Sequence, residues 1–135
     1  MANAFSDIAI IDAPLRIPQA ELSASAGAVV DFLGVVREVE QGEKIAGLDY
    51  EVHREMAQHQ LEKICETARA KFACEKIILH HRVGFVPVGE PSLFVRVTAK
   101  HRGPAFAANQ WIIEELKKLA PIWKNPIGAI VDVRS

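Results

Sequence analysis

The sequence predicts an α+β fold, a β-sheet with helices on one face. Three observations carry that prediction. Leu48 to His53 and Leu93 to Ala99 repeat their side chains with the period of two that marks a strand. Glu55 to Phe72, and the run that opens at Gly103 and Pro104, repeat their apolar side chains at helical spacing. The patterns follow in the order β, β, α, β, β, α, with mixed connections.

Each element has its own grounds. Asp7 to Asp12 is a short apolar strand, punctuated by Pro14 and Pro18. Gln19 to Ser25 has the length of a turn or two of helix. Gly27 to Val36 is a β-rich run whose internal Gly34 signals a bulge or a close backbone approach. Glu38 to Lys44 is polar, contains Gly42 and reads as a loop. Leu48, Tyr50 and Val52 then face one side of a half-buried strand. From Glu55 the spacing changes, and Ala57, Leu61, Ile64, Cys65, Ala68 and Phe72 form one stripe. Lys76 to Val83 is a strand, and Gly84 to Pro91 is a turn region rich in Gly and Pro. Leu93, Val95, Val97 and Ala99 point inward from the next strand. Gly103 as N-cap with Pro104 at the first helical position starts the second helix. Its stripe is Ile112, Ile113, Leu116 and Leu119, and Pro121 ends it.

The 135 residues suit a single domain, 1–135, with no repeat or linker inside it. Half the residues are hydrophobic and 24% are charged, which excludes a disordered chain. No apolar run approaches the ~20 residues that span a bilayer. The N-terminal segment has no basic region and carries Asp7, so it does not read as an export signal. Two cysteines in such a chain read as reduced thiols of a cytoplasmic protein. The net charge of −1 hides an asymmetry. Residues 1–45 hold three basic and seven acidic side chains, whereas residues 96–124 hold six basic and two acidic ones. A local positive field of that kind attracts an anionic ligand without making the protein a nucleic-acid coat.

The basic stretch holds the candidate chemistry. His101 and Arg102 stand where a strand gives way to a helix N-terminus, whose free N–H groups favour an anion. A solvated turn is the bland alternative. Lys117 and Lys118 close the helix, and Lys124 follows Trp123. Two amines there can clamp an anion or supply a base, although lysines at a helix C-terminus also simply compensate the dipole. The buried stripe beside it favours Lys117 over Lys118. Arg37 ends the glycine-containing strand and gains interest if that end converges with His101. His80 and His81 alternate along a strand, one inward and one outward. Phe106 and Trp111 read as at least partly packed. Cys65 belongs to the buried stripe, while Cys74 falls in a loop with its reactivity open. No set of His and Cys has zinc spacing.

Four segments, GAVVDFLGVVRE (Gly27 to Glu38), LDYEVHREMA (Leu48 to Ala57), HRVGFVPVGEPSLFVRVTAKHRGPAF (His81 to Phe106) and LKKLAPIWK (Leu116 to Lys124), are specific in combination. In that order the chain resembles the catalytic (large) subunit of molybdopterin synthase. The resemblance implies an α/β hammerhead-type fold with an additional antiparallel β-sheet. It implies a homodimer within a heterotetramer, flanked by small ubiquitin-like sulfur-carrier subunits. The carrier's C-terminal Gly-Gly thiocarboxylate would deliver sulfur to cyclic pyranopterin monophosphate, giving the molybdopterin dithiolene. No metal or other cofactor is implied for the subunit itself. By this resemblance Lys117 and Lys124 are catalytic, and Arg37, His101, Arg102, Asn125 and Pro126 bind substrate. The chain departs from the pattern after Lys124. There IGAIVDVRS is apolar apart from Asp132 and Arg134 and reads as a short closing strand. Two other readings compete: an idle homologue that only binds a ubiquitin-like partner, and a small module binding a phosphate ligand or RNA. The RNA reading requires aromatic rings exposed among the basic side chains.

Overall fold

The computed structural model of the chain describes residues 5–128. Its elements are β1 (Ser6–Ile11), β2 (Ala28–Val35), β3 (Val39–Glu40), β4 (Glu43–Val52), α1 (Arg54–Phe72), β5 (Lys76–Arg82), β6 (Gly84–Pro87), β7 (Pro91–Ala99), α2 (Arg102–Leu119) and β8 (Ile122–Gly128). A four-stranded sheet has the order β1-β5-β7-β2, with β1 parallel to β5 and the other pairs antiparallel. Both helices lie on one face of it, as the sequence predicts. Leu61, Ile64 and Ala68 of α1 and Ala108, Ile112 and Leu116 of α2 meet Leu79, Val95 and Val97 of the sheet in one core.

Alternation along β7 sends Leu93, Val95, Val97 and Ala99 to the helices and Phe94 and Arg96 to the opposite face. That face is buried too, which an alternating strand does not announce. Its charge is paired. Arg96 Nε and Nη2 donate to the two carboxylate oxygens of Asp31 at 2.7 and 2.8 Å, a bidentate grip that raises the arginine's pKa further. On the helical side, the Asn109 amide donates to the carbonyls of Val30 and Val95 at 3.0 and 3.1 Å, pinning α2 to two strands.

The second sheet is built on β4, which pairs antiparallel with β3, β6 and β8. Val36, Ile45, Leu48 and Val86 form its small core. Three expectations change here. The stretch Glu38 to Lys44 is a hairpin: Gln41 and Gly42, with φ of 51° and 79°, make a two-residue turn between β3 and β4. The turn region after Val83 contains β6. Beyond Pro121 the chain re-enters the sheet as β8, where Pro126 is tolerated because the strand lies on an edge.

Smaller differences have local reasons. Gln19 to Ser25 forms no helix. His101, not Gly103, is the N-cap of α2, because the Ala105 N–H already bonds the His101 carbonyl at 3.3 Å. Pro104 then falls in the first turn, where its missing N–H costs nothing. Leu119 drops out of the helical stripe and is exposed. Gly34 does mark a bulge, at Gly34/Val35, and a Cβ there would lie 3.3 Å from Leu93. The closing strand overlaps the start of IGAIVDVRS, whereas Asp132 and Arg134 lie outside the described residues.

Candidate active site

A cleft of ≈ 620 Å³ opens where the two sheets and the end of α2 meet. Four segments position its charged side chains. Arg37 follows β2 and is set by the backbone beside it. The Val36 N–H bonds the Glu90 carbonyl at 3.0 Å, and the Gly89 N–H bonds the Val36 carbonyl at 2.8 Å. Lys117 stands on the last turn of α2, one residue beyond buried Leu116. Lys124 is on β8 opposite Tyr50 of β4, so both reach the same side of that sheet. Glu40 enters from β3. Phe32, Leu33, Leu48, Leu93 and Ile122 supply apolar lining.

The cleft therefore gathers Arg37 with Lys117 and Lys124, which lie 80 or more residues further along the chain on two successive elements. Lys118 is not among its lining residues, in line with the preference for Lys117. The cations are partly compensated. Lys124 Nζ donates to Glu40 Oε1 at 2.9 Å, and the Glu40 side chain is only 13% exposed. The hydrogen bond and charge of Lys124, with a smaller effect of Arg37, hold the Glu40 carboxyl below its ordinary pKa of 4.5. Sequence reading missed this carboxylate, since nothing in a polar loop pairs Glu40 with a residue so far along the chain.

His101 and Arg102 are elsewhere. They begin α2, and Lys117 ends it, about 22 Å along the helix axis. The Gly27 N–H bonds the Lys100 carbonyl at 3.2 Å, so His101 adjoins the start of β2, while Arg37 lies past its other end. The convergence of Arg37 with His101 does not occur within one chain. Asn125 and Pro126 do not line the cleft either. Asn125 faces the other side of β8, where its amide donates to Glu51 at 3.3 Å.

Three further polar groups floor the cleft: Tyr50, His81 and Ser92. Tyr50 Oη and Ser92 Oγ are hydrogen-bonded at 3.1 Å. His81 is the inward member of the histidine pair. His80 lies on the opposite face, 3.3 Å from Asp7. Both cysteines are buried; Cys74 is not an open loop thiol, and its Sγ donates to the Ala68 carbonyl at 3.8 Å. Phe106, expected to be partly packed, is 60% exposed beside the start of α2, whereas Trp111 packs against the core and lies 5.9 Å from Phe72. Among the described residues no three His, Cys, Asp or Glu side chains converge to hold a metal, and no helix is long and apolar enough to cross a membrane.

Fold and cleft together define a class: an α+β protein whose cleft, at the junction of two sheets, gathers three cations around one carboxylate. Comparison with known proteins gives the family. A family profile described as MoaE protein matches residues 10–119. The molybdopterin synthase catalytic subunit of Pyrococcus abyssi is 42% identical over 78% of this chain and 71% of its own length. The crystal structure of molybdopterin synthase from Staphylococcus aureus superposes with a TM-score of 0.83 at 31% identity, covering 90% of this chain and 91% of that one. A complex of subunits 1 and 2 of the molybdopterin-converting factor from Helicobacter pylori superposes with a TM-score of 0.64 at 27% identity, over 78% and 73% of the two chains. The chain belongs to the MoaE family. It spans 60% of the length of its human relative and 52% of its Arabidopsis relative, both catalytic subunits of molybdopterin synthase.

Proposed function

We propose that this chain is the catalytic subunit of a molybdopterin synthase. It acts as one domain, in the cytoplasm, and moves sulfur from the C-terminal thiocarboxylate of a small ubiquitin-like carrier to cyclic pyranopterin monophosphate. The single observation that carries this reading is the meeting of Arg37, Lys117 and Lys124 in one cleft. The named relatives and the two-subunit complex support it. Arg37 takes the substrate phosphate. Lys117 stands beside the thiocarboxylate carbon and stabilises the charge of the tetrahedral intermediate as the carrier tail loses sulfur. Lys124 orients the acidic tail once its bond to Glu40 is exchanged. Asn125 and Pro126 serve from the flank of the cleft, as the edge along which the tail enters.

His101 and Arg102 belong to the same reaction only if a second copy brings them. One chain holds them at the far end of α2. In a two-fold dimer each copy lends its helix start to the other's cleft, where the pair adds its charge to the phosphate site. Exposed Phe106 beside them suits such a contact.

Reconstitution tests the reading. The protein is mixed with thiocarboxylated carrier and the pyranopterin precursor, and dithiolene product is measured. Lys117→Ala should abolish product while carrier binding stays near normal, and near-normal turnover in that variant refutes the role. Mixing Lys117→Ala chains with His101→Ala/Arg102→Ala chains should restore about a quarter of the wild-type sites, through mixed dimers with one intact cleft. No recovery on mixing refutes the shared site. Carrier binding without any product from the wild-type chain points instead to the idle homologue.

A further inference from the structure

The strand β5 turns Ile77, Leu79 and His81 toward the helices. The first two are core residues. The third is a histidine, 5% exposed, where the pattern asks for an apolar side chain. Its tautomer is fixed by geometry. Nδ1 lies 2.7 Å from the Arg82 carbonyl, which can only accept, so Nδ1 carries the proton. Burial holds the imidazole's pKa below its ordinary value and keeps the ring neutral. Nε2 is then a bare acceptor with no partner among the described residues, on a ring that lines the cleft. The Tyr50 ring packs edge-on against it, 5.1 Å between centres at 74°, and fixes its plane.

The other side chains of the cleft are differently committed. Arg37, Lys117 and Lys124 are donors only. Glu40 is engaged by Lys124, and Tyr50 and Ser92 by each other. Cations suit the anionic groups of the ligand, and a phosphate offers no N–H to a bare acceptor. A buried neutral acceptor on the floor reads some other part of the ligand.

We infer that His81 is a specificity-determining residue, whose Nε2 accepts a hydrogen bond from a ring N–H of the heterocyclic part of the substrate. This rests on the reading of the substrate as a pterin phosphate. The imidazole sets how the heterocycle lies on the floor, while Arg37 holds the phosphate. It discriminates against heterocycles that present an acceptor there, because two facing acceptors leave a buried lone pair unpaired.

Calorimetric titration of the full-length chain with cyclic pyranopterin monophosphate, and separately with inorganic phosphate, tests the assignment. In His81→Asn the amide still donates to the Arg82 carbonyl, but the Nε2 acceptor is gone. Precursor affinity should fall about tenfold and phosphate affinity should hold. In His81→Gln an amide oxygen stands near the position of Nε2, and most of the precursor affinity should return. His81→Phe keeps ring volume and gives a second variant without the acceptor, should the Asn variant fail to fold. Unchanged precursor binding in the folded variants without the acceptor overturns the assignment alone. Equal loss of precursor and phosphate binding in all variants makes His81 a structural residue and overturns it as well. A wild-type chain that binds phosphate but not the precursor overturns the functional reading, and the assignment with it.

Discussion

Glu40 and Lys124 meet inside the cleft proposed to accept an anion, so an internal carboxylate holds the place a ligand's charge would take. The pair is half open to solvent on the lysine side, and its net worth is small. Glu40→Gln keeps the shape and releases Lys124. Affinity for inorganic phosphate should rise about fivefold by calorimetry, and an unchanged affinity refutes the competition. The sign with pH follows from the lowered carboxyl. The pair's contribution is complete above about pH 4.5, the ordinary value, and is lost as pH falls through the lowered one. The cysteines behave oppositely. Burial pushes the Cys65 thiol up to about 12 and raises that of Cys74, so neither offers a thiolate at neutral pH. In the proposed reaction the sulfur chemistry therefore falls to the carrier's tail and the lysines.

Helix α1 shows what a one-dimensional reading captures and where it stops. Its stripe from Ala57 to Phe72 was legible because burial on one side forces helical spacing. Its ends also match, Glu55 to Phe72 against Arg54–Phe72, but the caps that hold them were not legible, since they depend on geometry. His53 caps the start, with Nδ1 accepting from the Met56 N–H at 3.3 Å. Ala73 caps the end in the left-handed region, at φ 53° and ψ 43°, where a Cβ is unfavourable. Ala73→Gly should therefore stabilise the chain by about 1 kcal/mol, read as a raised urea midpoint. A lowered midpoint would refute that account. The strands that the pattern missed or misplaced share one cause. β3, β6 and β8 are short, irregular or interrupted by proline, and exist because β4 offers them edges to pair with. Gly47 of β4 allows one of those approaches: a Cβ there would collide with the Val86 carbonyl and lie 2.7 Å from the Phe85 ring.

At the scale of the whole molecule, the sequence reading paired Lys117 with Lys124, which line one cleft, but could not bring Arg37 to them. Arg37, Lys117 and Lys124 converge because two sheets meet at the end of α2, a junction no local pattern encodes. His101 and Arg102 carry the same chemistry and stand a helix length away. Glu40, Tyr50, His81 and Ser92 escaped because each looks ordinary in its own segment. The two lysines also rest on unequal supports. Lys117 rides a helix whose Asn109 is bonded to two strands and whose inner face is fully buried. Lys124 rides an edge strand exposed from Trp123 to Gly128. Amide hydrogen exchange should separate them: N–H groups around Ile112 should outlast those of β8 by about tenfold or more. Equal protection would refute the contrast. One wall of the cleft is thus a firmly rooted jaw and the other a shallowly rooted one, and in the proposed reaction a bulky peptide tail would be admitted without unseating the amine of Lys117.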